Sequence, residues 1–449
     1  MHSILIRFIN VFRNLTPVNL KIKFSLSLFW LSNFILSDSD TDEAKKDSIK
    51  YVTEGNYDKA IQLLEQKIKI GVNDSQIFLY LRLVKFLKKR AEDPKIIEQT
   101  QEMIDQIEIM DKEIKSKEIY IPGDFWNKTG KHHLDLLKQY GVENFKRTVS
   151  HHYQNWFMTN LNEPQVQQIH ALWHEHKSLE PWVNTIETPD HIGFNADLTY
   201  PSYPLANLQA REVYSRAASL LWEYVNHTDE FDILESLEEI ETGNPLRIWR
   251  KGKLISSDLA HSVRERNKLF KTLNLQGVEN KIVGELGAGH GRLAEIFGKT
   301  SNYKHFIFDI TPALYVSQWY IKKIFPNEKI FEFRPFNNFE DIQEELENAR
   351  FAFFTSNQIE KIPNDFLDIF INLKSLAEMP KQVVNNFLDQ IGRSTREAFF
   401  SSQQITSKNP VEKEAYTKES FAMSDKWKLA LDEVDDVYPI YFNQIWSKE

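Results

Sequence analysis

The chain has 449 residues, of which 27% are charged and 41% hydrophobic, with a formal net charge of −9 and no cysteine. That length allows two or three domains with ample buried core, and the acidic balance argues against a nucleic-acid binder, which needs a basic face to neutralise phosphates. Without cysteine there is no disulfide framework, thiolate metal site or cysteine nucleophile, a composition that fits a reducing cytosol.

Residues 1–41 read as an apolar and basic extension. Met1 to Ser37 carries Arg7, Arg13, Lys21 and Lys23, no acidic residue, and the apolar run Phe24 to Leu36. That run is shorter than the roughly 20 residues needed to span a bilayer, and no A-x-A cleavage site follows. An interfacial or disordered segment with peripheral membrane association through residues 24–36 is the expectation, with a signal peptide or an early start as alternatives.

Residues 42–118 read as helices, with apolar residues at three- and four-residue spacing. Glu54-Gly-Asn-Tyr-Asp-Lys-Ala-Ile-Gln-Leu-Leu-Glu65 resembles the turn and second helix of a tetratricopeptide repeat, with Gly55, Tyr57 and Ala60 in the expected roles. No second copy follows one 34-residue period later, and solenoids need several repeats to bury their faces. A single docked hairpin is therefore expected, followed by a charged, solvated spacer helix from Pro94 to Lys117.

Residues 119–255 read as a mostly helical substrate or cap region. Ile121-Pro-Gly-Asp-Phe-Trp126 breaks the helical run, and His132 to Trp156 interleaves aromatic and basic residues. His170 and His174 share a helix face but lack a carboxylate third ligand on it, so no zinc site is expected. Pro181 to Pro204 is loop-rich, and Leu208 to Thr228 is helical. Ser256, Ser257 and Asp258 then cap a helix that presents His261, Ser262, Arg264 and Glu265 toward the next segment.

That segment, Lys281-Ile-Val-Gly-Glu-Leu-Gly-Ala-Gly-His-Gly-Arg292, is a buried-strand run followed by a glycine turn and a helix N-terminus. Glycines let a ligand approach the backbone, and free N–H groups at a helix start favour anionic groups. The dinucleotide pattern G-x-G-x-x-G would need glycine where Arg292 stands, which weakens a nicotinamide reading. The E-x-G-x-G-x-G present here resembles motif I of Rossmann-like methyltransferases that use S-adenosylmethionine (SAM). Asp309 ends the next strand about 20 residues on, where a carboxylate can accept hydrogen bonds from ribose hydroxyls. The expected cofactor-binding set is Glu285, Gly287, Ala288, Gly289, Gly291, Asp309, Ile310 and Asn372, with Glu285 orienting the cofactor ammonium.

Downstream, strands over Lys329 to Phe336, Phe351 to Thr355, Leu367 to Leu373 and Glu397 to Ser401 alternate with helices from Pro312, over Glu340 to Ala349 and over Lys381 to Arg396. Val437 to Trp446 forms a last strand. The alternation predicts an α/β, Rossmann-like class I methyltransferase domain over 256–449: a doubly wound, mostly parallel sheet with an antiparallel edge strand, preceded by an all-α region. Ligands in such sheets bind beyond the strands' carboxyl ends, where Asn372 and its successors sit.

Taken together, Asn144-Phe-Lys-Arg-Thr, Tyr153-Gln-Asn-Trp, Gly243-Asn-Pro, Ser257-Asp-Leu-Ala-His-Ser, Glu285 to Arg292, Asp309-Ile-Thr-Pro-Ala-Leu and Ser375-Leu-Ala-Glu-Met379 resemble the bacterial family of predicted sugar O-methyltransferases over residues 120–449. The resemblance implies SAM, a sugar, nucleotide-sugar or oligosaccharide acceptor and a place in surface-polysaccharide biosynthesis. A sugar hydroxyl is a poor nucleophile, so a general base is expected. Glu378 and His261 are the leading candidates, with His290 and Asp258 behind them, and nothing in the spacing demands a metal. The competing readings are a methyltransferase of a lipid or other small molecule and a non-enzymatic SAM-binding scaffold.

Overall fold

The computed structural model describes residues 39–71, 75–149, 208–408 and 415–449. The amino-terminal extension before residue 39, His170, His174, the proline-rich loop and Tyr153-Gln-Asn-Trp156 lie outside the described residues. Among those described, no helix is long and apolar enough to cross a membrane.

Helices α1 (Ser39–Thr53), α2 (Tyr57–Lys69) and α3 (Ser75–Glu92) come first. Gly55 turns the chain between α1 and α2 at φ +73°, and Ala60, Leu64, Ile77, Tyr80 and Val84 form the small core beneath. Helix α4 (Pro94–Ile114) is no solvated spacer. Met103, Ile107, Met110 and Ile114, spaced by four, three and four residues, are buried and join the cores of the sheet domain. The many charges of α4 lie around this stripe and hid it from a reading by composition. A short turn, Glu118–Tyr120, leads into α5 (Asp124–Tyr140). On α5, Gly130 permits close approach, since a Cβ there would stand 3.3 Å from the Thr311 carbonyl oxygen.

Helix α6 (Leu208–Thr228) is followed by a hairpin of β1 (Ile248–Arg250) and β2 (Lys253–Ile255). Its two-residue loop, Lys251-Gly252, has positive φ at both positions, as a type I′ turn requires. Helix α7 (Ser257–Thr272) is capped by Ser256, whose hydroxyl accepts the Leu259 N–H at 3.1 Å.

The sheet domain then alternates β3 (Ile282–Leu286), α8 (Arg292–Thr300), β4 (Lys304–Asp309), α9 (Ala313–Ile324), β5 (Ile330–Phe331), α10 (Gln343–Asn348), β6 (Phe351–Thr355), β7 (Leu367–Leu373), α11 (Lys381–Ser394) and β8 (Thr395–Gln404). A small ribbon of β9 (Thr406–Lys408) and β10 (Ala415–Thr417) precedes β11 (Trp427–Val434) and β12 (Tyr441–Lys448). The eight-stranded order is β11-β12-β8-β7-β3-β4-β6-β5. All pairings from β8 to β5 are parallel, and β12 runs antiparallel to both β8 and β11. The expected antiparallel strand is present and lies one place in from the edge, because β11 covers it. β11 escaped the sequence reading although Trp427, Leu429 and Leu431 fall at every second position; most of its residues face water.

The central strands are buried on both faces, as parallel strands between helices must be. Along β7 the two-residue period sends Ile369 and Ile371 into one core with Val283, Leu293 and Phe400 and Phe370 into the other with Phe306, Phe354 and Phe387, which Leu367 joins from across the register shift between Leu367 and Ile369. β4 and β7 flank β3 on opposite sides, so the chain reverses its winding direction at β3 and opens a crevice beyond the carboxyl ends. This is the strand order and direction of the Rossmann-like class I methyltransferase sheet, extended by the two-residue β5.

Candidate functional site

The glycine turn after β3, Asp309 at the end of β4, Ser356 after β6 and Leu373 to Glu378 after β7 meet in one cleft of about 850 Å³, counted to its open mouth. Gly287 adopts φ +73°, and a Cβ there would stand 2.7 Å from the Ser375 Cβ, so the turn and the loop after β7 pack together only through glycine. The Gly287 N–H donates to the Phe308 carbonyl at 2.9 Å, continuing the β3–β4 ladder into the turn.

Asp309 lines the cleft, and its two carboxylate oxygens accept the Gly289 N–H at 2.9 Å and the Ile310 N–H at 2.8 Å. Burial raises its pKa to about 7 against those two bonds, with the Glu285 charge adding to the rise. Ile310 and Gly289 line the cleft with it. The buried Ser356 hydroxyl, one residue past β6, also lines the cleft and has no protein hydrogen-bond partner. That hydroxyl is open to a hydrogen bond from a ligand in the cleft.

Other expected residues frame the cleft without lining it. The Asn372 amide donates to the Leu286 carbonyl at 2.9 Å and to Ser375 Oγ at 2.6 Å, while its oxygen accepts from Gln403 Nε2 at 2.7 Å. It braces the ends of β3, β7 and β8. Glu285 lies inside β3 and pairs its Oε2 with His305 Nε2 at 2.7 Å, so its carboxylate turns to β4. Ala288 packs in the core with Ile321 and Tyr320, and Gly291 starts α8 in the left-handed region at φ +83°.

His261 does not line the cleft. It is fully enclosed, with Nε2 2.6 Å from Lys374 Nζ and 2.9 Å from Glu265 Oε1. Burial holds its pKa down at about 4, helped by the Lys374 charge and opposed by Glu265. The surrounding network includes Arg292, which donates to Ser262 Oγ at 2.8 Å and Glu265 Oε2 at 2.7 Å, and Arg264, which pairs with Asp435 and Asp436. Arg292, at the position a dinucleotide fold would give to glycine, therefore spends its side chain on α7. His290 and Asp258 form a neighbouring buried pair at 3.1 Å.

Glu378 does line the cleft. Burial raises its pKa to about 8, with Asp309 adding to the rise and a hydrogen bond from Trp126 opposing it. Spacing did not single out Ser356, Lys374 or the stretch Tyr120 to Gly123 and Trp126, all of which line the same cleft. Lys374, at φ +68°, reaches from the cleft wall to His261 and Glu265. The Ile121-Pro-Gly interruption was the available signal, since a helix-breaking pair flanked by aromatics marks a loop held for a purpose.

No protein-family model and no curated protein matches the sequence. Among solved structures, the chain is similar to magnesium protoporphyrin IX methyltransferase from Synechocystis PCC 6803 with bound SAM, at 11% identity and a TM-score of 0.31 over 43% of this chain and 82% of that one. It is also similar to a SAM-dependent methyltransferase from Aquifex aeolicus, at 13% identity and a TM-score of 0.24 over 40% of this chain and 88% of that one. Neither likeness bears on ligand or substrate here.

Proposed function

We propose that this protein is a SAM-dependent methyltransferase that methylates a sugar hydroxyl. The observation that carries the reading is the single cleft shared by Asp309, the glycine turn and the unpartnered Ser356 hydroxyl, at the reversal point of this sheet. These groups fit SAM: Asp309 offers carboxylate oxygens to a ribose diol, Ser356 offers a hydroxyl to the purine edge, and Tyr120, Val383 and Phe387 offer apolar wall. The sugar acceptor is supported by the resemblance carried by Ser375-Leu-Ala-Glu-Met379.

SAM supplies an activated methyl group on sulfonium. The protein's part is alignment, exclusion of water and proton removal. Glu378, in the wall of the cleft, is the base of this reading: as a carboxylate it would take the acceptor hydroxyl's proton on an oxygen. Its raised pKa makes it a stronger base once ionised. Asn372 keeps the Ser375 to Glu378 loop in register with the glycine turn.

Thermal melting with SAM and S-adenosylhomocysteine tests the first half, with stabilisation expected from both. Stabilisation by NAD alone would overturn it. Transfer of radiolabelled methyl from SAM into nucleotide-sugar or oligosaccharide pools tests the second half, and transfer confined to lipid extracts would reassign the acceptor.

A further inference from the structure

The helical amino-terminal region is built into the same centre. Thr311, two residues past Asp309, donates to Asp111 Oδ1 on α4 at 3.1 Å, and Asn357, one past Ser356, donates to the Glu113 carbonyl at 3.0 Å. Lys361 adds an ion pair to Glu113 at 3.1 Å. Gly130 of α5 packs against the Thr311 carbonyl. The two loops that carry cleft residues are thus clamped by α4 and α5, and the stretch from Tyr120 into the first turn of α5 closes the wall. Within it, Trp126 Nε1 donates to Glu378 Oε2 at 2.9 Å, a bond between residues 252 positions apart.

We propose that Trp126 is a positioning residue that fixes the Glu378 carboxyl group, so that the helical region forms part of the reaction centre. The physical case is geometric. Glu378 ends a three-residue turn, Leu376–Glu378, and its side chain has several rotatable bonds. The indole of Trp126 has two rotatable bonds and makes edge-to-face contacts with Phe125 and His133, at ring separations of 5.4 Å and 6.2 Å. A rigid ring carrying one donor and no acceptor selects a single carboxyl orientation and favours the ionised form, since a charge-assisted bond is the stronger one. Inside a largely apolar cleft this donor is what opposes the effect of burial on Glu378.

The inference rests on the reading above for what Glu378 does, and it is tested on the full chain by a measurement that needs no acceptor. In a nitrogen-proton spectrum, the indole resonance that disappears in Trp126→Phe identifies Trp126. It is expected to shift with pH as Glu378 ionises, with a midpoint near 8, and to lose that shift in Glu378→Gln. In methyl-transfer assays, Trp126→Phe is expected to move the acid limb of kcat to higher pH and to leave the KM for SAM within about threefold. A Trp126 resonance that stays fixed between pH 6 and 10, or that titrates equally in Glu378→Gln, overturns the proposal. If the titration is seen while Glu378→Gln transfers methyl at the normal rate, the link between Trp126 and Glu378 stands and the assignment of Glu378 as base falls.

Discussion

Gly287 and Ser375 approach so closely that a Cβ on the glycine would lie 2.7 Å from the serine Cβ and nearer still to its hydroxyl. One residue belongs to the turn after β3 and the other to the loop after β7, so this contact sets the width of the cleft. Gly287→Ala must both force this contact open and place a Cβ at φ +73°. A loss of about 1–3 kcal/mol in stability is expected from overpacking of this kind. SAM affinity should fall at least tenfold, read by calorimetric titration. Unchanged affinity would mean that the two loops move apart freely.

Asp309 gives a pH-dependent test. Its pKa is raised from 3.8 to about 7 in the fold. The folded protein therefore holds a proton between those values that the unfolded chain has released, and this group lowers stability progressively as pH rises from about 4 to about 7. Asp309→Asn removes that charge. Relative to the wild type, the variant should melt higher at pH 8 than at pH 4.5, because each tenfold displacement of a proton equilibrium is worth about 1.4 kcal/mol, while the amide NH2 that meets one of the two backbone N–H donors costs the same at every pH. Its SAM affinity should fall roughly 10- to 100-fold, the range for losing charged hydrogen bonds. Melting curves across pH, with and without SAM, check both halves.

Such local features were the legible ones. The glycine turn, Asp309 and the alternating strands are each written within one strand-turn-helix unit, where spacing alone sets geometry. Side-chain direction was not so written. Glu285 and Asn372 sit at the strand ends that the pattern indicates, yet Glu285 turns to His305 and Asn372 to Leu286 and Gln403, because partners on neighbouring strands decide where a buried polar group points. Trp126 and Tyr120 were marked only by the break at Ile121-Pro-Gly, for another reason. They meet the cleft only after α4 and α5 have docked, through contacts 200 or more residues apart in sequence.

His261 and Glu378 separate by experiment. The His261 pKa is lowered to about 4 by its enclosure. The unfolded chain thus binds a proton that the fold refuses, and the enclosed histidine lowers stability as pH falls from about 6.5 toward 4. His261→Gln should lose melting temperature at pH 7.5, since Lys374 and Glu265 are left imperfectly paired, and should show a flatter decline on acidification. Its kcat profile should keep the wild-type acid limb. Glu378→Gln should instead lose that limb and about 10²–10⁴-fold in kcat, the range for removing a general base. A reversal of these two profiles would transfer the role of base to His261.

Ile114 tests whether the helical region supports the cleft. The residue is fully buried at the end of α4, in one core with Tyr120 and Phe387. Neighbouring Glu113 holds Asn357 and Lys361. Ile114→Ala should cost about 2–5 kcal/mol, as core truncations of this size do. Loosening the end of α4 also frees the loop after β6 and the aromatic wall at Tyr120, so SAM affinity should fall in the same variant although residue 114 does not line the cleft. Ile77→Ala, a truncation in the separate small core of α1 to α3, provides the control. It should lower the melting temperature and leave SAM affinity within about twofold, because that core does not include the loops that carry Asp309 and Ser356. Equal losses of affinity in the two variants would mean that general destabilisation, and not the α4 clamp, sets the shape of the cleft.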